Sequence, residues 1–347
     1  ESQLSLLHIL KDGPAGLKRL ARWLRGLRQE KNNLYVYTAP PLFPFGNYFI
    51  SLNYFNQAVL GFILRRLIRR MGFKDVLLWL YSINSSVLLK KMNEKASVYY
   101  CIDDFSSEIN IPKRKKTMLF LEDLALTNAG TVFACTRALA GDRRKKRPDL
   151  HFIRNGVSFS SFDKKEGWPV PADLKDLPSP KIGFIGTLDS RIDTQLLRYL
   201  AQKRSGWQIV LIGKNLSRQD FKDCPNIRLL GWKKHDLLPA YIMGMDACII
   251  PYRTDGFRAY IFPLKTLEYF ACGKPVVSTY LPELEEFSDV VKLSRDKADF
   301  MRNLELSLKE PPATEKMKSI SAALSWEGRI ELISGIIAET LYKEKQD

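Results

Sequence analysis

The sequence predicts an α/β protein built from two doubly wound, parallel-sheet domains facing a cleft. Three features carry this expectation. Strand-like and helix-like segments alternate from end to end, which favours crossover connections over hairpins. A proline-rich break without periodicity, residues 163–180 (DKKEGWPVPADLKDLPSP), falls near the middle and reads as a linker. The length, 347 residues, exceeds what one hydrophobic core usually serves.

Taken in order, NLYVYT, DVLLWLYS, SVYYCID, TVFACT and LHFIRN are the expected strands of the first half. Residues 51–71, 85–93, 115–128 and 137–146 repeat apolar positions at helical spacing. After the break come KIGFIG, WQIVLIG, IRLLG, ACIIPY, PVVST and VVKLS, each followed by a turn or a helix. These are short apolar runs suited to strands covered on both faces. The segment from Thr314 to Lys345 reads as helix. The expected organisation is a first domain over 1–166, a linker over 167–180, a second domain over 181–325 and a C-terminal helical segment over 326–347.

Charge is divided unevenly. Residues 1–170 hold 28 Lys and Arg against 14 Asp and Glu, a net +14, whereas the remainder holds 26 against 24. Most of the excess lies in residues 17–28 (LKRLARWLRGLR), 62–73 (FILRRLIRRMGF), 113–116 (KRKK) and 143–147 (RRKKR). In the first two, apolar residues recur three or four apart between arginines, the pattern of a helix lying on an anionic membrane surface. A solvated helix face is the plainer alternative. No nucleic-acid-binding motif accompanies the charge, so nucleic acid is not an expected partner. No run of 18 apolar residues occurs, and no transmembrane helix is expected. ESQLSLLHILKDG lacks the basic start of a signal peptide. Cys101, Cys135, Cys224, Cys248 and Cys272 are odd in number and widely spaced, as small core residues in a reducing compartment would be. His8, His151 and His235 stand apart from one another, and no metal site is expected.

The chemistry concentrates in PLKTLEYFACGKPVVST, residues 263–279. Pro263 suits the first turn of a helix, Leu264, Leu267, Phe270 and Ala271 repeat at helical spacing, Gly273 ends it, and a β-branched strand follows. Lys265 would stand in the first turn, where a cation opposes the helix dipole unless something anionic compensates it. Glu268 shares its face at i+3. Two alternatives stay open: a helical ion pair, or a lysine on a diphosphate with a glutamate on paired ribose hydroxyls. Ligands of open α/β sheets sit beyond the carboxyl ends of the strands, which adds Gly186, Thr187 and Arg191 after KIGFIG as phosphate-compatible groups. The same rule adds Trp232 and Lys233 after IRLLG, and Tyr252 and Arg253 at the end of ACIIPY. In the first half it selects Asp103 and Asp104, at the end of SVYYCIDD, as either a general base or an Asx turn.

Residues 263–279 resemble the nucleotide-sugar motif of GT-B fold glycosyltransferases, particularly bacterial enzymes of the teichuronic-acid and xanthan-glucuronosyltransferase kind. IGFIGTLDSRIDTQLL, WQIVLIG, NIRLLGW, LPAYIMGMDACIIPY and PLKTLEYFACGKPVVSTYLPEL follow in the family's order. The resemblance implies that Lys265 and Glu268 hold the nucleoside diphosphate and that the loops bearing Trp232, Lys233, Tyr252 and Arg253 hold base and diphosphate. It also implies that the C-terminal helix crosses back to the first domain near Trp326, that no metal cofactor is needed, and that the first strand of the fold lies ahead of Glu1. Many retaining members carry a second glutamate eight residues before the first, and Tyr260 stands there instead. The expected protein is a cytoplasmic glycosyltransferase of polysaccharide biosynthesis, peripherally bound to the inner face of the cell membrane. It would move a sugar from a nucleotide donor, a UDP-sugar, to a lipid-linked or glycan acceptor. A nucleotide-sugar 2-epimerase of the same fold and a non-catalytic membrane- or nucleic-acid-binding protein are the rivals.

Overall fold

The computed structural model describes residues 14–40, 42–105, 109–163, 168–254 and 260–343, and the chain divides into two compact units. The first comprises the chain up to Cys135, Leu139–Phe152 and the end from Ile337. The second comprises Thr136–Ala138 and Ile153–Ile336.

In the first unit a helix, Pro14–Leu24, leads into an antiparallel pair, β1 (Leu27–Lys31) and β2 (Leu34–Tyr37). Two expectations change here. The basic helix of residues 17–28 stops at Leu24, and NLYVYT lies in this hairpin rather than in a parallel sheet. Asn32 and Asn33 make the reversal, with Asn33 at φ 62°, a left-handed conformation that asparagine tolerates. The long helix Ile50–Arg70 follows, then a parallel sheet in the order β3 (Leu77–Leu80), β4 (Ala96–Cys101), β5 (Thr131–Ala134), β6 (His151–Phe152). Residues 85–93, expected as a helix, form a short 3-10 segment at Ile83–Leu88. Val98, Tyr99, Tyr100 and Phe133 are fully buried in the sheet, and the Trp79 and Phe133 rings stack 6.2 Å apart. Thr340, in the last helix (Trp326–Lys343), meets the Thr131 hydroxyl at 3.3 Å.

The second unit is a six-stranded parallel sheet. Its order is β12-β11-β10-β7-β8-β9, with β7 Lys181–Ile185, β8 Gln208–Ile212, β9 Ile227–Gly231, β10 Ala247–Ile250, β11 Val276–Thr279 and β12 Val291–Ser294. Every strand lies where its β-branched run was expected. The winding reverses between β7 and β10, so the crevice at their carboxyl ends is a topological switch point. Isoleucine, valine and leucine on β7, β8, β10 and β11 fill the core with Leu196, Leu200, Leu267, Phe270 and Phe300. Within 167–180 lies a short helix, Ala172–Lys175, whose Leu174 is buried in this core. The expected helix from Thr314 breaks at Leu324 and Ser325, where Val157 bonds to Leu324 and Trp326 through its backbone. All five cysteines are buried. Burial pushes the Cys101 and Cys272 thiols up to about 12.

Candidate functional site

The helix carrying Lys265 begins at that residue, one position after Leu264, and runs to Ala271. Pro263 therefore precedes it rather than opening it, and the Pro263 carbonyl accepts from the Thr266 amide at 2.9 Å. Gly273 (φ 64°) closes it as expected, with its amide on the Phe270 carbonyl. Tyr269, fully buried, receives the Ile185 amide on its hydroxyl at 2.9 Å and so ties this helix to the end of β7.

The loop after β7 needs glycine for two reasons. Gly186 has φ 150°, and a Cβ there would lie 2.5 Å from the Lys265 ammonium. Just past the neighbouring strand β8, Gly213 has φ 151°, and a Cβ there would lie 1.9 Å from the Gly186 carbonyl oxygen. The backbone thus makes room for the lysine. Lys265 Nζ donates to the Tyr252 hydroxyl at 3.0 Å and sits 4.0 Å above the Phe184 ring. Tyr252 is held in turn: its residue pairs with Ile192 across an antiparallel bridge, and Arg253 N bonds to Arg191 O at 2.7 Å. Gly186 and Tyr252, expected from two strand ends, and Lys265, expected from a helix start, are therefore gathered at the switch point. Gly186→Ala is expected to lower stability by about 1 kcal/mol through its backbone conformation and to weaken nucleotide binding by displacing Lys265. Calorimetry of the variant with and without UDP reads both, and an unaltered affinity would separate the lysine from the glycine.

Arg191 reaches the same ring, its guanidinium 5.9 Å from the Tyr252 centroid, but its side chain is engaged by Asp189 at 2.6–3.1 Å. Burial pushes the Asp189 carboxyl up, yet Arg191 and Lys265 outweigh it and hold the group below its ordinary value. Thr187 is half-buried.

Glu268 and Lys265 take different partners rather than forming a helical ion pair. The Glu268 carboxylate meets His235 Nε2 at 3.3 Å, and the His235 ring packs edge-on to Phe162 at 5.3 Å. Burial raises the Glu268 pKa above its ordinary 4.5, opposed by His235 and Lys265. A carboxyl raised on folding contributes stability that is whole below about 4.5 and is lost as pH rises through the folded value. Glu268→Gln is accordingly expected to gain Tm relative to the native chain as pH rises from 4.5 toward neutrality. A constant difference across that range would show the carboxyl to be unshifted.

Trp232 and Lys233, the remaining expected donor groups, follow directly on β9. Trp232 is 61% exposed. The Lys233 ammonium is held by Asp173 at 2.7 Å and stands over Tyr241, whose hydroxyl donates to the same carboxylate. Asp189, His235, Asp173 and Tyr241 were not anticipated, because their partners lie two to 68 residues away with no shared motif. Asp103 and Asp104 belong to the first unit. Asp104 accepts from Arg143 at 3.1 Å, and the same guanidinium binds the buried Glu122 at 3.0 Å. Asp103 is exposed, and its Oδ1 accepts the Asp104 amide at 2.9 Å. Among the described residues no three His, Cys, Asp or Glu side chains are grouped as metal ligands, and no helix is long and apolar enough to cross a membrane.

Residues 179–305 match the family model of glycosyl transferases group 1. HepE of Anabaena, solved in complex with UDP-glucose, superposes with a TM-score of 0.62 at 16% identity, over 83% of this chain and 82% of that one. The trehalose 6-phosphate synthase of Burkholderia multivorans gives 0.67 at 13% identity, over 92% and 86%. The fold is GT-B. TuaH of Bacillus subtilis (strain 168), provisionally assigned as a teichuronic acid biosynthesis glycosyltransferase, is 29% identical over 141 residues, which are 39% of this chain. The match spans 36% of TuaH, about a third of its length. The sequence resemblance to GT-B glycosyltransferases of the teichuronic-acid kind is thus recovered by independent comparison. Within the GT-B fold, the gathered lysine, tyrosine and glycine lie inside the matched segment.

Proposed function

We propose that the protein is a glycosyltransferase that takes a sugar from a UDP-sugar and delivers it to a membrane-presented, lipid-linked or glycan acceptor in polysaccharide biosynthesis. The observation that carries this reading is the Lys265 ammonium lodged between the Gly186 backbone and the Tyr252 hydroxyl at the switch point of the matched domain. A cation there suits the diphosphate of the donor, and so does the Arg191 guanidinium. Glu268 would accept hydrogen bonds from the ribose hydroxyls, with His235 steadying its carboxylate. Trp232, exposed on the next loop, offers a face for the base. Thr187, Lys233 and Arg253 line the loops that would close around the nucleotide.

In an inverting transfer the acceptor hydroxyl attacks the anomeric carbon while the bond from that carbon to the diphosphate breaks. UDP leaves with the electron pair, its developing charge met by Lys265 and Arg191. The hydroxyl proton passes to a carboxylate, and Asp103 is our candidate for it. No metal is assigned a part. The net +14 over residues 1–170 would hold the enzyme on an anionic membrane surface, the inner face of the cell membrane, where such acceptors are presented.

A thermal-shift screen of UDP and UDP-sugars, followed by measurement of UDP release with and without a lipid-linked acceptor, tests the reading. Acceptor-dependent release is expected. Interconversion of the UDP-sugar without release would indicate the epimerase, and no nucleotide-dependent shift would indicate a non-catalytic binding protein.

A further inference from the structure

The helix Ile50–Arg70 is inside out for a helix on a soluble domain. Asn53, Asn56 and Gln57 are fully buried on its inner face, while Tyr54, Phe55, Val59 and Phe62 face solvent. Amphipathic surface helices do the reverse. Phe55, Val59, Phe62, Arg66 and Arg69 recur at spacings of four and three, so they form one outer stripe, aromatic at its start and basic at its end. The helix contains no acidic residue. The loop before it adds Phe43, Phe45 and Phe49, each about half exposed.

These aromatics are held out by the structure. The buried Asn56 side chain bonds both the amide and the carbonyl of Phe43, and the Phe43 ring meets Phe55 edge-on at 5.5 Å. Phe45 has φ 68°, a conformation a bulky residue adopts only when its surroundings impose it. Lys113 lies 3.7 Å over the Phe49 ring, adding a cation at the rim. Of the four helix arginines, Arg65 turns back to the Lys91 carbonyl at 2.9 Å, whereas Arg66, Arg69 and Arg70 are exposed.

We propose that this face, Phe43, Phe45, Phe49, Phe55 and Phe62 with Arg66, Arg69 and Arg70 beside them, inserts into the interfacial layer of an anionic bilayer. The inference rests on the membrane-facing acceptor proposed above and adds to it a mode of attachment: the aromatic rings are buried at the acyl boundary while the arginines pair with lipid phosphates. An apolar stripe with a basic continuation and no acid matches a lipid surface of one charge sign, whose interior takes the rings and whose headgroups take the cations. A purely electrostatic attachment would leave five phenylalanines in water for no return.

The test is vesicle sedimentation of the native chain, a Phe55→Ser/Phe62→Ser variant and an Arg66→Gln/Arg69→Gln/Arg70→Gln variant. The vesicles are phosphatidylcholine alone or mixed with phosphatidylglycerol. Native protein is expected on the mixed vesicles, with a fraction retained at about 1 M salt, where charge attraction is screened within about 3 Å. The phenylalanine variant should lose that retained fraction and bind at least about tenfold more weakly at any salt. The arginine variant should lose only the salt-sensitive part. Phe55→Trp and Phe62→Trp, which keep the aromatic face, should show fluorescence quenched by brominated acyl chains. Unchanged binding by the phenylalanine variant, or unquenched tryptophan on bound protein, overturns insertion and leaves the electrostatic reading standing. No binding of native protein to either vesicle overturns both. A dimer in solution that the phenylalanine variant abolishes would assign the face to a second copy, and the insertion proposal falls.

Discussion

Asp103→Asn is expected to slow sugar transfer about 100- to 10,000-fold, the usual worth of a positioned general base, while UDP affinity stays at the native value. The two adjacent carboxylates are not equivalent. Asp104 is committed to Arg143, which also neutralises Glu122 in the interior, so its charge serves the fold. Burial pushes the Glu122 carboxyl up, with Arg143 opposing. Asp103 is exposed at the carboxyl end of β4, with its Oδ1 on the Asp104 amide fixing the side chain's direction. Asparagine retains that acceptor oxygen and the side chain's shape, and removes the proton-accepting charge. Asp104→Asn should instead lower Tm, with a smaller effect on rate. The discriminating measurement is turnover under saturating donor alongside UDP calorimetry. Native turnover in both single variants would place the base elsewhere or remove the need for one.

Much of the second unit was legible from sequence because its strands are short runs of valine, isoleucine and leucine between turn residues, and buried parallel strands demand that composition. Gly186 and Tyr252 were legible because the carboxyl ends of strands around a switch point can be named once the strands are known, and Lys265 because the proline, helical spacing and glycine of residues 263–273 mark a helix whose first turn it occupies. What escaped were pairings over long separations. Nothing in a local pattern links His235 to Glu268 or Lys233 to Asp173. The hairpin of β1 and β2 escaped because LRQEK is too polar to announce a strand, and only its pairing with LYVY makes it one. In the helix Ile50–Arg70 the arginine and leucine spacing was visible, but not that amides rather than leucines would face inward at positions 53, 56 and 57. Periodicity gives a helix its faces. Packing decides which one is buried.

Lys265→Ala is expected to weaken UDP binding by about 1.5–3 kcal/mol, roughly 10- to 150-fold, the worth of a charge-assisted hydrogen bond to a phosphate. The ammonium already sits against the Gly186 backbone, 3.0 Å from the Tyr252 hydroxyl and 4.0 Å over Phe184, so it needs little reorganisation to meet an anion. Stability should move the other way or not at all, because a cation in the first turn opposes the helix dipole and its loss costs the fold little. Lys265→Arg should fail to restore affinity: a planar guanidinium does not fit the space that Gly186 leaves for a single ammonium. Tyr252→Phe, which removes only the oxygen that steadies the ammonium, should cost about 0.5–1.5 kcal/mol. Titration calorimetry with UDP on the three variants and the native chain reads the whole series. Affinity unchanged in Lys265→Ala would take the lysine out of the site, and with it the observation on which the donor assignment rests.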